Sequence, residues 1–123
     1  MTQIIHKELS YKVTGIIFGV YNRLGYGYRE KIYKDAIEIE LKNEKILYQR
    51  ELTVPLYYKG NKIGKYIFDF VIDDKMVLEI KVANNFWVKD VQQILSYLKG
   101  SGLRLGILIL ITKKGIRFKR IIH

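Results

Sequence analysis

Three charged residues, Asp69, Glu79 and Lys81, interrupt one of the most apolar stretches of the chain, "KYIFDFVIDDKMVLEIKVA" at residues 65–83. The runs of Phe, Ile, Val and Leu read as two strands joined by a polar turn. Side chains alternate along a strand, so Glu79 and Lys81 share a face. A three-residue loop at Asp73-Asp74-Lys75 centres the pairing on Asp74 and sets Asp69 opposite Glu79. A two-residue turn at Asp73-Asp74 would pair Asp69 with Leu78 and send Glu79 to the other face. In the first register the two carboxylates have Cβ atoms about 5 Å apart. Two such groups on a half-buried sheet repel and lose hydration. A shared proton, Lys81 or a divalent cation has to compensate. Oxygen-only ligands suit Mg²⁺ or Mn²⁺. A cation held by Asp69 and Glu79, with the Ile80 carbonyl as a further oxygen and Lys81 alongside, would make a centre for metal-assisted cleavage of a phosphodiester. The competing reading is a buried Glu79–Lys81 pair with Asp69 at a sheet edge.

The flanking segments must position that hairpin. Leu9, Val13, Ile16, Ile17, Val20 and Leu24 recur at helical spacing and predict a first helix ending near Gly25. "LGYGY" is a Gly-punctuated turn. A second helix carries Tyr33, Ala36, Ile37, Glu40 and Leu41 on one stripe and closes near Asn43. "ELTVPLYY" reads as a strand and "KGNK" as a turn before the charged hairpin. "VKDVQQILSYLKGSG" reads as a third helix, "LRLGILILI" as a buried strand, "TKKG" as a turn and "IRFKRII" as a last strand. The order ααβββαββ predicts a mixed α/β fold, one sheet with helices packed on it. Two helical pairs add polar groups. Glu30 and Tyr33, in "GYREKIY" with Gly27, are three apart on one face; Gln93 and Tyr97, in "QILSY", are four apart on another. Taken alone, Glu30 reads as a carboxylate favouring the helix dipole and Tyr97 as a core tyrosine.

The chain has 123 residues, 49% of them hydrophobic, which fits one domain over 1–123 with its own core. It has no cysteine, so disulfides and thiolate metal sites are excluded and a reducing cytoplasm is the natural setting. The run "LGILILI" is too short to span a bilayer, and no signal-peptide pattern opens the chain. The net charge of +10 predicts a polyanionic partner, nucleic acid before an anionic membrane. Lys59, Lys62 and Lys65 stand before the charged hairpin, and Lys113, Lys114, Arg117, Lys119 and Arg120 cluster near the C-terminus. Tyr26, Tyr28, Tyr57 and Tyr58 lie among or near them, and cations with rings suit phosphate contact and base stacking. Trp87 reads as a core residue anchoring the third helix, or as a substrate contact. His6 and His123 fit no ligand pattern, and no P-loop, nucleophile elbow or HExxH is present.

Three of these motifs occur together and in order, "GYREKIY", "YIFDFVIDDKMVLEIK" and "QILSY". In that combination the chain resembles the GxxExxY proteins, a branch of the PD-(D/E)XK nuclease superfamily, from the first helix to the last strand. "YYKG" and "GLRLGILI" also read like family segments, and "QILSY" is similar to the QxxxY motif of RecB-like members. The resemblance implies a restriction-endonuclease-like central mixed sheet flanked by helices. It implies that Asp69 and Glu79 bind the metal, that Glu30 helps hold it, and that Lys81 assists the attacking water. Gln93 and Tyr97 would orient the phosphate or the lysine. The chain departs from the pattern in that Phe68 stands where the superfamily's name has Pro. Tyr21 and Tyr26 take the positions of a His and a Pro usual in the family.

The expectation is a divalent-metal-dependent nuclease acting on DNA, with Mg²⁺ or Mn²⁺. The alternative is a non-catalytic nucleic-acid-binding or accessory protein that retains the fold. A homo-oligomeric structural protein would show no affinity for nucleic acid in modest salt. The chain is a small platform for a duplex, which makes a homodimer a further expectation.

Overall fold

The protein's structure, a computed structural model, describes residues 4–123. Helix α1 (Lys7–Leu24) buries Val13, Ile17 and Val20 and ends at Gly25, whose N–H donates to the Tyr21 carbonyl at 2.7 Å. Helix α2 (Glu30–Asn43) buries Tyr33, Ile37 and Leu41, each four residues from the last and so on one stripe. Strands β1 (Tyr48–Tyr58), β2 (Asn61–Ile72) and β3 (Met76–Val82) follow, then helix α3 (Val88–Ser101) and strands β4 (Leu105–Thr112) and β5 (Gly115–Ile122). This is the ααβββαββ order expected from the sequence. β1 and β2 both start earlier than their residue pattern indicated, at Tyr48 and Asn61. Residues 61–64 carry no alternation because little of that stretch is buried, and pairing with β1 as far as Tyr58↔Asn61 makes it a strand. Lys59 and Gly60, at φ +47° and +79°, form the turn between them, as a two-residue hairpin requires.

The five strands lie in the order β1-β2-β3-β4-β5. All neighbours are antiparallel except β3 and β4, which are parallel and joined through α3. β4 is buried along its whole length, which accounts for its unbroken apolar sequence. Pro55 sits on β1, an edge strand, where its missing N–H costs nothing. α1 and α2 cover one face of the sheet over Phe70, Ile72, Leu78, Ile80 and Ile107. α3 covers the other over Phe68, Val71, Val77, Leu108 and Ile121. No helix among the described residues is long and apolar enough to cross a membrane.

Trp87 is not a core residue: it caps the start of α3 through its backbone carbonyl while its side chain stays 59% exposed. The sheet packing of α3 depends instead on Ile94 lying against Gly106, where a Cβ would overlap the Ile94 side chain. Ile94 is fully buried and has nowhere to retreat. Gly106→Ala should therefore lower stability by about 1–3 kcal/mol, the usual cost of overpacking. Urea denaturation reads this directly, and an unchanged midpoint would mean that α3 can shift off the sheet freely.

Candidate active site

The β2–β3 ladder pairs Ile72 with Met76, Val71 with Val77 and Phe70 with Leu78, and stops there. All three pairs are centred on Asp74, so this is the odd register, with Asp73-Asp74-Lys75 as the loop. Asp73 and Asp74 both sit at φ +52°, a region that Asp tolerates better than most residues. Asp69 faces Glu79 one step beyond the last pair. There the strands part, and side chains take over from backbone. The Asp69 N–H donates to Glu79 Oε1 at 2.6 Å, and the Ile80 N–H donates to Asp69 Oδ2 at 2.8 Å. Each carboxylate thus fills the acceptor place that a carbonyl of the opposite strand has vacated.

On the other side of β2 the ladder with β1 also skips a pair, between Arg50↔Phe70 and Leu52↔Phe68. Glu51, which faces Asp69 there, has φ +56°. Phe68 and Phe70 are two apart yet enter opposite cores, Phe68 under α3 and Phe70 under α1 and α2. The strand therefore twists at Asp69, and its carboxylate is aimed across the gap toward β3.

Helix α2 brings a second layer of charge to the fork. Glu30, in its first turn, accepts the Val82 N–H through Oε1 at 3.2 Å. Its other oxygen, Oε2, meets Lys34 Nζ at 3.0 Å. Lys34 Nζ also meets Asp69 Oδ1 at 2.6 Å, with only 18% of the Lys34 side chain and 12% of the Asp69 side chain exposed. Lys34 escaped sequence reasoning. Its signal was its place four residues after Glu30, the spacing of a helical ion pair. The loop before α2 is latched by Tyr33, fully buried, whose hydroxyl donates to the Gly25 carbonyl at 2.6 Å and accepts the Tyr28 N–H. Gly27 in that loop takes φ +120°, which L side chains rarely adopt. "GYREKIY" therefore works locally as glycine turn, strand-binding carboxylate and tyrosine latch. Arg50 ties α2 to β1 by bonds to Asp35 at 2.7 Å and Glu38 at 3.0 Å.

The remaining residues singled out from sequence fall into four places. Lys81 follows Glu79 on the same strand face, half-buried, and its charge bears on the Glu79 carboxyl. Gln93 and Tyr97 lie on α3, and no hydrogen bond joins either to the carboxylates; Tyr97 packs its ring on Phe68 at 4.8 Å, next to Asp69 in sequence. Burial, with the Asp74 charge behind it, raises the Tyr97 hydroxyl pKa. Lys59, Lys62, Lys65, Lys113, Lys114, Arg117 and Lys119 are all exposed. Arg120 does not belong with them: it turns inward to Ser10 Oγ at 2.8 Å and the Ile5 carbonyl at 2.7 Å, tying β5 to α1.

Strand directions place the two basic groups on the same rim. β2 runs against β3, and β4 runs with it. The Lys59-Gly60 turn and the Lys113-Lys114 turn therefore both project from the edge toward which the fork opens. At about 3.3 Å per residue, Lys113 lies roughly 10 Å past the level of Lys81, and Lys65 roughly 13 Å along β2 from Asp69. An open cleft of about 550 Å³ beside the second turn is lined by Tyr26, Asn84, Lys113, Lys114 and Arg117. Arg117 is held there by the Asn84 carbonyl at 3.2 Å and by the Phe86 ring. A second cavity of similar size lies between α1 and α2 around Gly15, Gly19 and Ile39, with Lys12 and Arg23 in its lining, and contains none of the residues of the fork.

The electrostatics of the fork are uneven. Burial, then the charge of Asp69, push the Glu79 carboxyl up to about 8, against the opposing pull of the Asp69 N–H, Lys81 and Lys34. For Lys34, burial works against the ammonium, but the bonds and charges of Asp69 and Glu30 outweigh it and hold its pKa above the ordinary lysine value. Among the described residues no three Asp, Glu or His side chains gather closely enough to hold a metal by themselves. The donor chemistry nonetheless fits a hard divalent cation. Asp69 and Glu79 offer only oxygen donors, and the burial and Asp69 charge that raise the Glu79 carboxyl are a penalty that a cation between the two would offset.

A mixed five-stranded sheet, helices on both faces and an acidic fork with Glu-x-Lys on one arm define a nuclease-type fold. The chain belongs to the PD-(D/E)XK nuclease superfamily, whose family model matches residues 7–121. Two solved structures are similar. "Crystal structure of SSO0001" is 25% identical with a TM-score of 0.59, over 76% of this chain and 50% of that one. This chain thus spans about half the length of that relative. The alkaline exonuclease LHK-Exo from Laribacter hongkongensis is 11% identical with a TM-score of 0.53, over 100% of this chain and 72% of that one, a likeness of fold. No curated protein matches the chain.

The Glu79 shift carries a stability consequence. Its folded pKa lies above the 4.5 of an ordinary Glu. Below that value both states are protonated and no penalty applies; as pH rises toward 8 the unfolded chain ionises first and stability is lost. In chelator, the melting temperature should fall between about pH 5 and pH 8. Glu79→Gln keeps an acceptor for the Asp69 N–H but cannot ionise, so it should flatten that fall and melt at least about 5 °C above wild type at pH 9. Parallel curves for the two proteins would rule out a neutral Glu79.

Proposed function

We propose that the protein is a divalent-metal-dependent nuclease that hydrolyses phosphodiester bonds in DNA. The observation that carries this reading is the fork itself, a buried carboxylate pair at the parting of two strands, open toward a rim with basic turns on either side. Asp69 and Glu79 would hold Mg²⁺ or Mn²⁺, with the Ile80 carbonyl as a further oxygen and Glu30 supporting from α2, directly or through water. The ion would supply charge and Lewis acidity at the phosphate. The protein's own groups do the rest. Glu79 would serve as a ligand in its ionised form, with its proton released to solvent. Lys81 faces the attacking water and the developing charge on the phosphate. Gln93 and Tyr97, from the helix over the Glu79 and Lys81 face, orient the lysine or the phosphate. Lys59, Lys62, Lys65, Lys113, Lys114, Arg117 and Lys119 track the backbone on both sides of the fork, with the exposed rings of Tyr26, Tyr57 and Tyr58 available to bases. Pairing two chains would extend so small a platform, and sedimentation with and without DNA tests for a homodimer. A cytoplasmic location accords with the absence of cysteine.

The competing reading is a protein that binds nucleic acid without cutting it. Cleavage of a panel of single- and double-stranded DNA and RNA, with and without Mg²⁺ or Mn²⁺, separates the two. Lys81→Ala should abolish cleavage while leaving fold and most DNA affinity intact, since Lys81 is one cation among 22 Lys and Arg. A Lys81→Ala protein that cuts as fast as wild type would refute its role. Titration calorimetry should show metal binding to wild type and its loss in Asp69→Asn; equal binding by both would remove the site from the fork.

Salt dependence tests the nucleic-acid track. Each neutralised phosphate contributes a log–log slope of about −0.9 on duplex and about −0.7 on a single strand. Replacing Lys113, Lys114 and Lys119 by alanine together should flatten the slope by up to roughly 2 to 3 units between about 50 and 200 mM salt, with cleavage at saturating DNA retained. Fluorescence anisotropy measures it. An unchanged slope would move the track to the Lys59, Lys62 and Lys65 side.

A further inference from the structure

Four carboxylate oxygens belong to Glu30 and Asp69, and two of them are committed to backbone. Glu30 Oε1 accepts the Val82 N–H, and Asp69 Oδ2 accepts the Ile80 N–H. The other two, Glu30 Oε2 and Asp69 Oδ1, are both held by one ammonium, that of Lys34, at 3.0 and 2.6 Å. The contact with Asp69 is enclosed on both sides, so it is not weakened by solvent in the way of a surface pair, while the Glu30 carboxylate is 36% exposed. Lys34 therefore stands where a cation shared by Glu30 and Asp69 would stand.

We propose that Lys34 is a built-in counter-ion for the metal-free fork, and that a divalent cation binds only by displacing its ammonium from Asp69. The inference rests on the metal reading above and adds a competitor to it. A divalent ion that takes Asp69 Oδ1 removes one Lys34 contact and places two positive charges within contact range of a third, which repel. The ammonium then has to swing out on its four-carbon stem, a motion that a flexible lysine allows and a rigid guanidinium would resist. While no metal is present, the same ammonium keeps Asp69 and Glu30 drawn together across the junction of α2 with β2. Metal affinity is then set by exchange of one cation for another and not by filling a vacant cage.

The consequence is opposite to that of removing a ligand. Lys34→Met keeps the stem and deletes the charge, and should bind Mn²⁺ at least about tenfold tighter than wild type by titration calorimetry. Lys34→Gln, which retains a hydrogen-bond donor, serves if the Met variant folds poorly and should move the same way. The stabilisation given by Mn²⁺, read as the rise in melting temperature, should be larger in either variant than in wild type. A direct readout needs no variant: the ¹⁵N–¹H signal of the Lys34 ammonium, protected in metal-free protein, should disappear as Mg²⁺ is added, with the midpoint of the calorimetric titration. Wild type that binds metal while the Lys34 signal persists, or variants that bind no tighter than wild type, would overturn the exchange and leave the metal reading standing. Failure of wild type and both variants to bind either ion would instead sink the metal reading and this inference with it.

Discussion

The fold and the candidate site meet in one local event, the parting of β2 from β3 after Phe70 and Leu78. A sheet that opens in its middle strips partners from backbone N–H groups, and such groups cannot stay empty in an enclosed position. Here the strands supply replacements from their own side chains. Glu79 serves the Asp69 amide, Asp69 serves the Ile80 amide, and Glu30 reaches over from α2 to serve Val82. Asp69 and Glu79 thus meet at the fork, and Lys34 links Glu30 to Asp69. A structural demand for acceptors has drawn these acids to the parting of the strands.

The surrounding structure answers to this arrangement. α2 has to arrive with Glu30 over the end of β3, so the loop before it is fixed by Tyr33 on the Gly25 carbonyl and its flank by Arg50 on Asp35 and Glu38. The parallel β3–β4 pair, with β4 fully enclosed, gives the fork a rigid arm. The long β1–β2 hairpin and the short β4–β5 turn carry the exposed cations to the rim beside it. The protein thus places a cluster of buried acids, with Lys34 and Lys81 among them, beside a rim of exposed cations.

Much of this was readable in the residues because it is governed by short-range rules. Loop parity at Asp73-Asp74-Lys75 narrowed the register to two, of which the structure takes the odd one, and residue spacing located the helices. What sequence reasoning missed depends on distant partners. Strand alternation puts Phe68 and Phe70 on one face, and only the unpaired step at Glu51 and Asp69 sends them to opposite cores. Arg120 resembled its basic neighbours until α1 supplied Ser10 and the Ile5 carbonyl. Trp87 anchors the third helix, as its place predicts, but through its backbone carbonyl and not by burying its ring. The i,i+4 spacing of Lys34 with Glu30 is local, but its contact with Asp69, 35 residues on, depends on the fold.

The carboxylates of the fork grip amide groups of residues 69, 80 and 82, not the side chains of Ile80 and Val82. An amide is the same whatever residue bears it. Positions 80 and 82 can therefore exchange one aliphatic side chain for another without disturbing what the acids hold, provided the strand keeps its path. What the acids grip thus does not depend on which aliphatic side chain stands beside them, although Ile80 still has to fill its place in the core. Such a centre can persist while most of the letters around it turn over, which makes its ancestry easier to see in backbone shape than in an aligned string of residues.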